Sequence, residues 1–182
     1  ERADKLRVIG RAGVGVDNID VTAASMHGIV VMNTPGANSM ATAELTIALM
    51  LAVSRHIPQA HASLKAGEWK RSNFVGSQLY RKTLGIIGFG RVGKLVAERA
   101  KAFDMEVIVY DPSKLEEEGR EFGIVLVELD DLLARSDYIT LHASLLPSTI
   151  KMINAETISQ MKDGAIVINA ARGELVGDQA LA

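Results

Sequence analysis

With 182 residues, 48% of them hydrophobic, the chain has enough apolar material for one buried core, or for one domain and a piece of a second. A net charge of −2 leaves no basic excess for sequence-independent nucleic-acid binding, and the lack of cysteine excludes a disulfide framework or a thiolate metal site. No apolar run reaches transmembrane length, since the longest, around Leu45–Val53, is interrupted by Thr46 and too short to span. These features fit a cytoplasmic protein.

The chain begins Glu1-Arg-Ala-Asp-Lys-Leu without an initiator Met and stops at Gln179-Ala-Leu-Ala182, early in a helical pattern, so a piece of a longer chain is expected. Leu6–Ile9 reads as a short strand feeding the glycine-rich turn Gly10–Gly15. Asp20 is placed to cap a helix over Val21–His27 that Gly28 ends, and Ile29–Met32 reads as the next strand. The Pro- and Gly-bearing turn Asn33–Asn38 is the expected domain boundary, dividing residues 1–32 from 33–182. After it, Ser39 can cap a helix with Ala43–Arg55 as its body. Ala43, Ile47, Met50 and Leu51 share a face, but Leu45, Leu49 and Val53 make the helix apolar nearly all round. Burial on most sides is expected, either in a central core or partly under a second subunit.

Ile57–Ala66 is a further helical pattern stopped by Gly67, and Glu68–Arg71 an exposed loop. Four strand–loop–helix cycles then follow. Their strands are expected near Thr83–Ile87, Glu106–Tyr110, Gly123–Val127 and Tyr138–His142, with a last strand at Ala165–Asn169. Helices are expected at Lys94–Phe103, Glu128–Arg135 and Asn154–Met161, and Pro112–Gly119 reads as helix or loop. This alternation predicts an α/β fold with a Rossmann-type, doubly wound parallel sheet.

The chemistry concentrates at Gly88-Phe-Gly90-Arg-Val-Gly93, which joins a strand to a helix. The first glycine allows the tight turn, the second lets backbone approach a pyrophosphate, and the third lets helix and strand pack closely. Amides and dipole at the helix start would then hold the phosphate charge. Asp111 ends the next strand 18 residues past Gly93, close to the roughly 20 expected of the acid that bonds an adenosine ribose. An acid there repels a 2′-phosphate, so NAD rather than NADP is the expected cofactor. The loops His142–Thr149 and Asn169–Gly173 leave their strands at the same edge. Arg91 can face the pyrophosphate, and Arg172 sits where a guanidinium can grip a substrate carboxylate with two hydrogen bonds. His142 ends a strand in an apolar context and reads as structural, not as a base. His27, His56 and His61 lie in helical patterns without an acid to orient them. No metal is expected, because no His, Asp and Glu cluster has ligand spacing.

Gly10-Arg-Ala-Gly-Val-Gly-Val-Asp-Asn-Ile-Asp20, Asn33-Thr-Pro35, Gly88–Gly93, His142–Thr149 and Asn169–Gly173 together resemble the D-isomer-specific 2-hydroxyacid dehydrogenases. The likeness runs over essentially the whole chain in the right order. It is strongest toward members acting on 3-phosphoglycerate. It implies a cofactor domain from about Asn33 onward, preceded by the tail of a substrate domain, and a homodimer formed through the helix at 43–55. It implies Arg91 and Val92 at the pyrophosphate, Asp111 and Pro112 at the ribose side, and Val14, Ala143, Ser144, Thr149, Ala170, Ala171 and Arg172 toward the nicotinamide half. Gly13, Asn33, Lys70 and Arg71 are implied on the substrate side, the last two toward a phosphate, and Arg172 as the one catalytic residue present.

The resemblance also places the family's catalytic Glu and His beyond residue 182, so this chain is expected to bind NAD and turn over little. Val14 stands where the family often has Thr, and Glu174 where it usually has the second Gly of Arg-Gly-Gly. A hydroxypyruvate or glyoxylate reductase of the same family, and a dinucleotide-sensing scaffold, remain open as alternatives.

Overall fold

The computed structural model describes residues 4–114 and 116–181; the first three positions, Leu115 within the Pro112–Gly119 stretch and Ala182 lie outside it. The chain forms two compact units, Glu1–Ala41 and Thr42–Ala182.

In the first unit, strand β1 (Val8–Gly10) and strand β2 (Val30–Met32) pair in parallel, Val8 opposite Val30 and Gly10 opposite Met32. Helix α1 (Val21–Met26) crosses between them. Asp20 caps it as expected, its Oδ1 accepting from the Ala23 amide at 2.8 Å. Gly28, at φ 66°, supplies the left-handed turn that ends it.

Helix α2 (Ser39–Ser54) starts earlier than the predicted body, with Ser39 as its first residue and itself buried. Ala43, Ile47 and Met50 are buried in the second unit's core, whereas Leu45, Leu49 and Val53 are 53, 37 and 47% exposed. The all-round apolar pattern is therefore covered on one side only within this chain. His56, in the left-handed region at φ 51°, breaks the chain before helix α3 (Ile57–Lys65), and the two helices meet at 64°. No single helix among the described residues is long and apolar enough to cross a membrane.

The segment after α3 holds a single 3-10 turn, Arg71–Phe74, and then passes against the end of α2. A side chain at Gly76 would overlap the Ser54 carbonyl oxygen, which accepts from the Ser77 amide at 2.9 Å. The Ser54 hydroxyl is also buried, donating to Met50 O at 2.6 Å and sharing a 2.7 Å bond with the Tyr138 hydroxyl.

The core of the second unit is a five-stranded parallel sheet in the order β5-β4-β3-β6-β7. Its strands are β3 (Thr83–Ile87), β4 (Glu106–Tyr110), β5 (Val125–Leu126), β6 (Tyr138–Leu141) and β7 (Ile166–Asn169). Helices α4 (Arg91–Ala102), α5 (Glu116–Phe122), α6 (Leu129–Arg135) and α7 (Ala155–Ser159) connect them, and α8 (Asp178–Leu181) follows.

Alternation along the strands sorts side chains onto two faces. Leu84, Ile86, Val107, Val109 and Tyr138 join one core with α2 and α4, through Ala43, Met50, Val96 and Ala97. Ile87, Ile108, Ile139 and Leu141 join the other, with Leu132 and Leu133 of α6. Helices on both faces are what a fully buried central strand such as β3 requires. At Gly85 a side chain would overlap Ser136 and Leu132, so α6 lies directly on β3. Edge strand β5 is shorter than predicted, and the predicted helix Asn154–Met161 contracts to α7, with Asn154 forming a capping box with Thr157. The doubly wound sheet expected from the strand–helix alternation is the one observed.

Candidate functional site

Strand order fixes where a ligand can enter. Two crossovers run from β3 outward through β4 to β5, and the chain then returns to the other side of β3 for β6 and β7. That reversal leaves a crevice at the C-terminal ends of β3 and β6, the topological switch point of a doubly wound sheet. The glycine turn follows β3, and the loop from His142 follows β6.

Each glycine meets a different neighbour there. Gly88 has φ 95°, and a side chain on it would lie 2.7 Å from the Ala143 amide nitrogen, so the two loops touch. A side chain on Gly93 would overlap the Gly88 carbonyl, so α4 packs against the turn that launches it. On Gly90 it would meet nothing within 4 Å. The middle glycine alone borders open space, at the start of α4, whose first amides lack intrahelical acceptors. This is the shape required for backbone to approach a pyrophosphate. Arg91 opens α4 with an exposed side chain, whereas Val92 packs its side chain toward the core.

Asp111 directly follows β4 and is tied to the turn. Its Oδ2 accepts from the Phe89 amide at 2.7 Å, and its Oδ1 accepts from the Ser113 amide at 2.9 Å and the Ser113 hydroxyl at 2.7 Å. Burial pushes its pKa up, but the bonds from Phe89 and Ser113 and the charge of Lys114 outweigh it. The carboxyl lies below its ordinary 3.8. It is a fixed anion beside the turn. Pro112 follows it, exposed.

Loop 142–149 is held by its own residues. The Thr149 hydroxyl donates to Ser144 O at 2.7 Å and accepts from the Leu146 amide at 2.8 Å. Ala143 is half-buried against the second core, and Ser144 is exposed. His142 is half-buried at the strand end, its Nε2 sharing a 2.9 Å bond with the Thr140 hydroxyl; burial lowers its pKa from 6.5 to about 4. The ring therefore stays neutral at neutral pH.

After β7, Asn169 braces the neighbouring loop from both ends of its amide. Its Oδ1 accepts from the Ala171 amide at 3.0 Å, and its Nδ2 donates to Arg172 O at 2.8 Å. Ala170, Ala171 and Arg172 are half-buried, and the Arg172 guanidinium donates to Ala171 O at 3.1 Å.

The remaining predicted residues are not part of these loops. Gly13, Val14 and Asn33 come together in the first unit, where Asn33 Nδ2 donates to Val14 O at 2.8 Å and the Thr34 amide to Gly13 O at 3.1 Å. Lys70 and Arg71 border a cavity of about 490 Å³ with Arg55, Trp69 and Phe74, and Lys70 pairs with Glu68 at 2.8 Å. Phe89, Ser113 and Asn169 were not singled out from sequence. Ser113 and Asn169 had a signal, since an Asp or Asn side chain commonly bonds the backbone amide two residues on, as Asp111 does that of Ser113 and Asn169 that of Ala171. Phe89 acts through its amide, which carries no sequence signal. Among the described residues no group of three or more His, Asp or Glu side chains is placed to hold a metal.

The glycine cradle and the fixed acid fit a dinucleotide, and the comparisons agree. Residues 47–182 match the family model described as D-isomer specific 2-hydroxyacid dehydrogenase, NAD binding domain. The chain is 55% identical over 182 residues to D-3-phosphoglycerate dehydrogenase of Methanocaldococcus jannaschii, covering all of this chain and 35% of that protein. It is 52% identical over 181 residues to the enzyme of that name from Archaeoglobus fulgidus, with 100% and 34% coverage. The chain thus spans about a third of the length of these curated relatives. Among solved structures, D-lactate dehydrogenase of Aquifex aeolicus, complexed with NAD and lactic acid, superposes with a TM-score of 0.87 at 39% identity, over 97% of this chain and 53% of that one. An open glycine cradle at the switch point, an anion at the end of β4 and a family model covering most of the chain lead to one conclusion: the chain belongs to the D-isomer specific 2-hydroxyacid dehydrogenase family and carries its NAD-binding domain.

Proposed function

We propose that this chain serves the NAD-dependent oxidation of 3-phosphoglycerate to 3-phosphohydroxypyruvate, the entry to serine synthesis. The observation that carries the reading is the placement of Arg172 on a loop that Asn169 holds rigid, at the same sheet edge as the glycine turn and Asp111. NAD, when bound, supplies a nicotinamide that accepts a hydride. Amides at the start of α4 hold the pyrophosphate, Asp111 accepts from the ribose hydroxyls, and Ala143 and Ala170–Arg172 flank the nicotinamide half. Arg172 orients the substrate by gripping its carboxylate and the C2 oxygen. Lys70 and Arg71 are our assignment for the phosphate, with Gly13 and Asn33 on the substrate side. We do not assign the hydroxyl proton to His142, whose ring is half-buried and bonded to Thr140.

The choice of substrate is supported by the relatives of that name at 55% and 52% identity. Absorbance of NADH formed by a protein carrying this chain, offered 3-phosphoglycerate, glycerate or D-lactate, tests it. Turnover of glycerate or lactate without turnover of 3-phosphoglycerate rules the assignment out. We also propose a homodimer through α2, on the strength of the exposed Leu45, Leu49 and Val53.

A further inference from the structure

Beside Asp111 stands a charge cluster that the proposed reaction does not use. The Glu118 carboxylate, on α5, meets the Lys114 ammonium at 3.1 Å and the Lys94 ammonium at 3.6 Å through one oxygen, Oε2. Lys94 is further held over the rings of Phe89 and Phe122, at 5.5 and 5.1 Å from their centroids. Those rings pack edge to face at 5.4 Å. The Lys101 ammonium donates to Phe122 O and Gly123 O, which pins the end of α5 to α4. Lys114 lies in the turn that Asp111 opens, its amide donating to Asp111 O at 3.1 Å, and its charge helps to lower the Asp111 pKa. The side chains of Lys94, Lys114 and Glu118 are only 25–35% exposed, so their charges act on one another through partly dehydrated surroundings.

The charge balance of this corner decides which dinucleotide it accepts. NAD presents two ribose hydroxyls to the acid at the end of β4, whereas NADP presents a 2′-phosphate dianion there. A site for that dianion needs the acid removed and a cation supplied. Both cations are already present, and one carboxylate occupies them. We propose that Glu118 is a second specificity-determining acid of this site: by holding Lys114 and Lys94 it keeps a ready-made phosphate clamp closed, so that rejection of NADP rests on Asp111 and Glu118 together. The inference rests on NAD as the cofactor and on the position of Asp111 at its ribose.

Calorimetric titration of NAD and NADP into the parent chain, Asp111→Asn, and Asp111→Asn with Glu118→Gln tests it. Asparagine keeps an acceptor for the Phe89 amide while removing the charge. The double variant is expected to bind NADP at least about tenfold more tightly than Asp111→Asn, with a steeper loss on adding salt. Equal NADP affinity in the two variants overturns the proposal. Should Glu118→Gln loosen α5, Lys114→Glu in the Asp111→Asn background approaches the same point from the other side. It is expected to abolish the remaining NADP binding, and unchanged binding overturns the proposal as well. A parent chain that binds no NAD removes the ribose-site assignment and the proposal with it; the other outcomes concern NADP alone and leave NAD binding by the parent chain standing.

Discussion

His142 shows how little a residue type says without its surroundings. Its pKa falls from 6.5 to about 4 through burial, so the folded chain refuses a proton that the unfolded chain accepts. Stability is then level above the unfolded value, decreases as pH falls from 6.5 toward 4, and levels again below, a total of about 3 kcal/mol. Replacing His142 by Gln should flatten that stretch. Urea titrations of parent and variant at neutral pH and midway between the two pKa values will decide, and equal slopes in both would sink the claim. Asn169 is the second informative residue. Aspartate there keeps the acceptor for the Ala171 amide but sets a carboxylate oxygen against the Arg172 carbonyl, where Nδ2 now donates at 2.8 Å. Asn169→Asp should destabilise by about 1–3 kcal/mol. A midpoint in denaturant unchanged from the parent's would show that the brace contributes nothing.

At the scale of elements, the junction of β3 and α4 separates folding from binding within three glycines. A side chain on Gly93 overlaps the Gly88 carbonyl, so Gly93→Ala must push α4 off the turn, at about 1–3 kcal/mol. Gly90 has φ −78° and open space around its missing side chain. Gly90→Ala should therefore leave thermal unfolding nearly unchanged while weakening NAD by at least about tenfold, because the methyl group occupies the pyrophosphate's approach. Thermal melts paired with calorimetry separate the two effects. Tight NAD binding by the Gly90 variant would remove the cradle assignment. The same spacing of glycines thus serves two purposes, and only the neighbours reveal which glycine serves which.

For the whole molecule, the open question is what covers α2. Burying Leu45, Leu49 and Val53 against a second copy would remove apolar surface from water without touching the core made by Ala43, Ile47 and Met50. Leu49→Asp with Val53→Asp should thus leave the fold of each chain intact and shift a dimer to monomers in sedimentation. A parent chain that sediments as a monomer at every concentration refutes the dimer.

Several features were open to reading from the chain alone because their signals are local. Strand-length apolar runs, the Asp20 cap, the glycine spacing and the acid after β4 are all set by short-range sterics and periodicity. From them came the parallel sheet, the dinucleotide and its preferred form. The alternation of apolar residues did not say which side of β3 each later strand would join. That order depends on the handed crossovers and on helices such as α6 closing onto Gly85. Nor could periodicity tell that α2, apolar nearly all round, would bury one face and leave another open, since both faces look alike in sequence. The cluster around Glu118 was only partly within reach. Lys114 and Glu118 stand four residues apart, but Lys94 and the rings of Phe89 and Phe122 join them only when α4, α5 and the turn after β4 pack together. Local chemistry in the sequence determined that a dinucleotide is held; the packing of elements decided which charges stand around it.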